Sequence, residues 1–82
     1  MKLRLDEVYP WRRVSIDSVL NAFASRRLEL YGLTLDAEVM VERRDVVGDI
    51  FVRYQGSLYR IPADMAEAIV VKNPQPVSPV SI

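Results

Sequence analysis

Five carboxylates, Asp36, Glu38, Glu42, Asp45 and Asp49, fall close together in the middle of this 82-residue chain, and they are the first candidates for chemistry. Oxygen-only ligands of this kind favour hard cations. Glu38 and Glu42 share one face of an alternating segment, with Met40 between them. The ordinary reading is that these are solvated charges on the wet side of a strand, so no metal site and no cofactor are expected. Cysteine and histidine are both absent. That removes thiolate nucleophiles, imidazole general bases and the usual zinc ligands together, and points away from an enzyme. Gly32, Gly48 and Gly56 are isolated and make neither a P-loop nor a dinucleotide fingerprint. They read as turn residues.

The second group is cationic and aromatic. Arg43, Arg44, Arg53 and Arg60 can form a patch if their strands are neighbours, with Tyr54 and Tyr59 interleaved, a composition typical of protein-binding surfaces. Glu42, Asp45 and Asp49 lie near enough in sequence to neutralise it. Overall, 11 Lys and Arg balance 11 Asp and Glu, so the chain lacks the basic excess that drives nucleic-acid binding. The longest apolar run, Ala68 to Val71, is far short of the ~20 residues that span a bilayer. A cytoplasmic domain without membrane insertion is expected.

The elements that position these residues follow from spacing. Half of the residues are hydrophobic, enough for one small folded core. Leu3 and Leu5 alternate with Lys2, Arg4 and Asp6 in a short edge strand or extended lead-in, which Tyr9-Pro10 breaks. The lone Trp11 either covers one end of the core or anchors a partner. Val14 and Ile16 mark a strand over Arg12 to Asp17, after which Asp17 or Ser18 caps a helix. Leu20, Phe23, Ala24, Leu28 and Tyr31 give an amphipathic helix from Val19 to Tyr31, stopped by Gly32.

After the turn Leu33 to Asp36, Ala37, Val39 and Val41 alternate with Glu38, Met40 and Glu42 in a second strand. A loop through Gly48-Asp49 returns as Ile50 to Tyr54, and Gly56 turns into Leu58 to Ile61. Pro62-Ala63-Asp64 opens one helical turn, and Ala68 to Lys72 closes the domain. The three prolines of Asn73 to Ile82 read as a poorly ordered tail, leaving a single domain over residues 1–72. The fold expected is mainly β. It is a small SH3-like barrel of about five short strands, with a helix inserted after the first main strand and a short helical turn before the last.

The stretch Arg27-Leu28-Glu29-Leu30-Tyr31-Gly32-Leu33, followed by Asp36-Ala37-Glu38-Val39-Met40-Val41, resembles the ferrous iron transport protein A family, FeoA. Gly48-Asp49, Gly56, and Ala66, Ile69 and Val71 continue the likeness, which covers roughly residues 12–72. The sequence departs from the family pattern at Tyr31, at Leu35-Asp36 where a Pro-Gly turn is usual, at Ile50 and at Pro62. The resemblance implies an accessory protein of ferrous iron uptake that contacts the cytoplasmic GTP-binding part of a FeoB-type membrane transporter and is recruited to the membrane's inner face. The same barrel also serves as the C-terminal domain of iron-dependent repressors, which gives a rival sensory or interaction role. Family membership also carries an implied link to transition metal ion binding.

The helix end is the preferred partner surface. With Phe23 and Leu28 turned to the core, Leu30 is expected to point roughly 160 to 200° away from them at 100° per residue, and Leu33 to emerge past the stop. Leu30, Tyr31 and Leu33, together with Met40, Arg43, Arg44 and Tyr54, are therefore the candidate contact residues, for the transporter or for weak self-association.

Overall fold

The computed structural model describes residues 2–76; Met1 and residues 77–82 lie outside the described residues. In chain order the elements are β1 (Lys2–Arg4), a 3-10 turn (Leu5–Glu7), β2 (Arg12–Val19), α1 (Ala22–Tyr31), β3 (Glu38–Arg44), β4 (Ile50–Tyr54), β5 (Ser57–Ile61), α2 (Ala63–Ala66) and β6 (Ile69–Pro76). All strand pairs are antiparallel, in one sheet of order β1-β6-β2-β3-β4-β5. The pairing has register shifts in β2 against β6 and in β3 against β4. Such bulges increase the local twist and curl a sheet around one core.

One face of the sheet supplies that core. Val14 and Ile16 of β2, Val39 and Val41 of β3, Ile50 and Val52 of β4, Ile61 of β5, and Ile69 and Val71 of β6 are all buried. Leu5 and Val8 enter from the 3-10 turn, and Met65 and Ala66 from α2. No polar or charged residue among the described residues is buried, so the core carries no unpaired polar group to penalise folding. No helix among the described residues is long and apolar enough to cross a membrane.

Three expectations are corrected. First, β2 runs on to Val19, and neither Asp17 nor Ser18 caps α1. Asn21 does, its side-chain oxygen accepting the Ala24 amide at 2.7 Å, as an Asn in extended backbone just before a helix is suited to do. Secondly, Leu20 and Phe23 are exposed, and α1 buries only Ala24 and Leu28 completely. The pair is four apart and so lies on one stripe. Thirdly, the last strand does not stop at Lys72. β6 continues to Pro76, with Arg13 opposite Gln75 and Arg12 opposite Pro76. Among the described residues this part of β6 pairs with β2 alone, and proline is tolerated on a strand edge. The rest of the expected tail, residues 77–82, lies outside the described residues.

Candidate functional site

Gly32 sets the geometry at the end of α1. Its φ of 79° is left-handed, a conformation without steric cost only for glycine. The Gly32 amide donates to the Glu29 carbonyl at 3.0 Å and the Leu33 amide to the Leu28 carbonyl at 2.9 Å. This paired closure is the Schellman motif, whose outer residue packs against the helix three residues before its end. Leu33 is accordingly folded back and buried at 3% exposure. It does not emerge as a contact residue.

Leu30 does, at 77% exposure. The expected opposition to Phe23 fails on simple geometry, because residues seven apart on a helix are only about 20° apart in direction. Phe23 and Leu30 therefore form one outward stripe, with the Arg27 guanidinium 5.8 Å from the Phe23 ring centre. Between this helix and β2 runs an open groove of about 550 Å³, bordered by Val19, Ser25, Leu28, Glu29, Leu33 and Leu35. Leu35 is also exposed. Tyr31 is half-buried, and its ring stacks on Tyr59 with centres 5.5 Å apart, so it fastens the helix end to β5 instead of facing outward.

The outer face of the sheet is a second surface. Cross-strand partners share a face, so Arg13, Met40, Arg53 and Leu58 form one row across β2 to β5, and Arg43, Phe51 and Arg60 the next. The Arg43 guanidinium lies 3.9 Å from the Phe51 ring centre and that of Arg60 5.6 Å, a cation–π arrangement. The shift between Val41 and Arg43 makes Glu42 the extra residue of a bulge. That bulge turns Arg43 outward and Arg44 to the opposite side, where Arg44 donates to the Asp6 carbonyl of the 3-10 turn.

Tyr54 and Tyr59 are also on the inner side, packed against the core. The four arginines and two tyrosines expected as one patch thus lie on two faces. Met40 and Arg43 remain together on the outer one. Phe51, which the sequence reading did not select, is its central apolar group; its alternation with Ile50 and Val52 was the available signal.

Four of the five candidate carboxylates, all but Glu38, have partners among the described residues. Glu42 pairs with Arg53. Asp49 accepts Arg60 Nε at 2.8 Å and the Ala63 amide at 3.0 Å, and Asp45 accepts a second Arg60 nitrogen at 3.1 Å as well as the amides of Val47 and Asp49. Asp36 pairs with Lys72 at 2.8 Å, and this hydrogen bond, followed by the charge of Asp36, holds the Lys72 pKa above its ordinary 10.5. Among the described residues no three acidic side chains converge on one point. The loop carboxylates act as caps and ion-pair partners.

A search of curated proteins found no significant match. Among solved structures, one described as the iron uptake regulatory protein FeoA is 26% identical, with a TM-score of 0.76 over 88% of this chain and 96% of that one. A FeoA protein from Chlorobium tepidum is 27% identical, with a TM-score of 0.72 over 96% of this chain and 74% of that one. Stenotrophomonas maltophilia FeoA complexed with zinc, described as a prokaryotic SH3 domain protein, has a TM-score of 0.76 at 21% identity, over 93% of this chain and 99% of that one. The SH3-like fold is thereby shown. A family model for the FeoA domain matches residues 3–73, nearly the whole of the described fold, and the chain therefore belongs to the FeoA domain family.

Proposed function

We propose that this protein is an accessory factor of ferrous iron uptake that works by contact, through the outward side of α1, with the cytoplasmic GTP-binding part of a FeoB-type transporter. The observation that carries this reading is the exposed stripe of Phe23 and Leu30 on the outward side of α1. Large apolar side chains grouped on an exposed helix face favour protein docking, because covering them removes apolar area from water. The relatives described as iron uptake proteins supply the process. Iron is the transporter's cargo in this reading.

Co-purification with the transporter's GTP-binding part, without nucleotide and with GDP or a GTP analogue, tests the proposal. Retention in at least one nucleotide state, lost on Leu30→Asp, is expected. No retention in any state would remove the mechanism.

A further inference from the structure

The outward side of α1 carries charge as well as apolar surface. At 100° per residue, Arg26 and Arg27 stand about 60° and 40° to either side of Phe23, with Leu30 about 20° from it. Arg26 is exposed and Arg27 half-buried. Two cations thus flank two large apolar side chains, Phe23 and Leu30, which lie about 10 Å apart along the helix axis.

Neither arginine is neutralised by its surroundings. Lys2, Arg4, Arg53, Arg60 and Lys72 each pair with a carboxylate, but among the described residues Arg26 and Arg27 do not. The acid of α1 is Glu29, exposed three residues after Arg26, and a cation placed before an acid is the weaker order for a pair within a helix. The Arg27 guanidinium instead lies 5.8 Å from the Phe23 ring centre, which holds it at the margin of the apolar stripe. A chain with 11 cations and 11 acids therefore places two uncompensated charges on the helix face that exposes Phe23 and Leu30.

That charge selects the occupant. A planar guanidinium binds a carboxylate through two parallel hydrogen bonds, so carboxylates fixed beside apolar side chains complement the stripe. An anionic lipid surface is recruited by clusters of roughly four to eight cations, and two, with Glu29 alongside, fall short. A second copy docked face to face across a twofold axis would set the same arginines against each other.

We propose that the surface docking on α1 is an acidic amphipathic segment, whose carboxylates pair with Arg26 and Arg27 and whose apolar side chains cover Phe23 and Leu30. This rests on the contact through α1 inferred above and names the chemistry of the transporter segment that makes it.

Calorimetric titration of the full chain with the transporter's GTP-binding part, at about 50 and about 500 mM NaCl, tests it, because salt screens exposed ion pairs. Wild-type binding should weaken roughly tenfold over this range and that of Arg26→Gln/Arg27→Gln less than about twofold. At low salt the double variant should bind roughly tenfold more weakly than wild type, and Arg26→Lys/Arg27→Lys, which keeps both charges, should lose less. Glutamine matches arginine in helix propensity, so thermal midpoints should agree within about 2 °C. Arg26→Gln alone, at an exposed position, gives the same comparison should the double variant melt earlier. Binding that Leu30→Asp abolishes, but that neither salt nor Arg26→Gln/Arg27→Gln weakens, would overturn the proposal and leave the docking reading intact. Absence of wild-type binding in every nucleotide state would remove both. Co-sedimentation with vesicles of phosphatidylcholine and phosphatidylserine is expected to be absent. If it occurs and is lost in the double variant while transporter binding persists, the stripe belongs to lipid headgroups and the proposal is wrong.

Discussion

Leu33 donates its amide to the Leu28 carbonyl at 2.9 Å, and the two side chains, at 3% and 2% exposure, meet beneath the end of α1. One left-handed glycine thus decides the fate of two leucines. It folds Leu33 inward and leaves Leu30, two residues before the glycine, in solvent.

Leu33→Ala is therefore expected to cost about 2–4 kcal/mol of folding stability, from lost transfer energy and the cavity left behind. Urea denaturation measures it. Gly32→Ala should cost about 1–2 kcal/mol, all of it in the backbone, because a β-carbon there meets nothing within 4 Å. A neutral Leu33→Ala would mean that the helix end is not anchored through this residue.

How far the sequence foretold this is clear from the same stretch. The strand alternation over Ala37 to Val41 and the helix stop at Gly32 were legible, because each depends on spacing within a few residues. The inward turn of Leu33 was not read, since it follows from paired hydrogen bonds made after the stop. Phe23 and Leu28 were placed on one face although they are five apart, about 140° round the helix. The two faces of the arginine group were hidden by the single extra residue Glu42 in β3, since a bulge reverses inside and outside without any mark in composition. The persistence of β6 past Pro74 rests on its pairing with Arg12 and Arg13 of β2, a non-local fact.

Asp49 links three elements through one carboxylate, joining the loop after β3 to Arg60 of β5 and to the first amide of α2. Asp49→Ala should destabilise by about 1–2 kcal/mol, mainly through the lost cap, whereas Asp49→Asn should retain much of it because an amide oxygen still accepts from Ala63. The Arg60 ion pair is exposed and contributes little. Raising the salt concentration should therefore change the difference between wild type and Asp49→Ala only slightly, as parallel urea titrations would show.

Asp36 stands at φ 68°, at the position where the family pattern has the glycine of a Pro-Gly turn, and its carboxylate reaches across to Lys72. Because the folded-state pKa of Lys72 is raised, its contribution to stability is fully present below the ordinary value of 10.5 and is lost as pH rises through the higher folded value. Asp36→Asn keeps a residue type that accepts left-handed backbone but removes the charge. In the variant the Lys72 pKa, followed by the NMR shift of its ε-carbon, should fall towards 10.5. The stability gap to wild type should be flat from neutral pH up to that value and should narrow above it. A Lys72 titration identical in both proteins would show that the pair does not form in solution.

Leu30→Asp separates docking from folding. The side chain is 77% exposed and packs against nothing in the core, so the substitution should change stability by no more than about 0.5 kcal/mol. In a contact through the outward side of α1 it would place a charge within an apolar patch, and the desolvation it demands should weaken binding to the transporter's GTP-binding part at least tenfold, about 1.4 kcal/mol. Phe23→Asp, on the same stripe, should weaken it similarly. Arg43→Ala, on the outer face of the sheet beside Phe51, should leave binding unchanged. Titration calorimetry with all three variants therefore distinguishes the two surfaces. Loss of binding in Arg43→Ala alone would move the contact from the helix to the Arg43–Phe51–Arg60 row, where Met40 and Leu58 would be the next positions to replace.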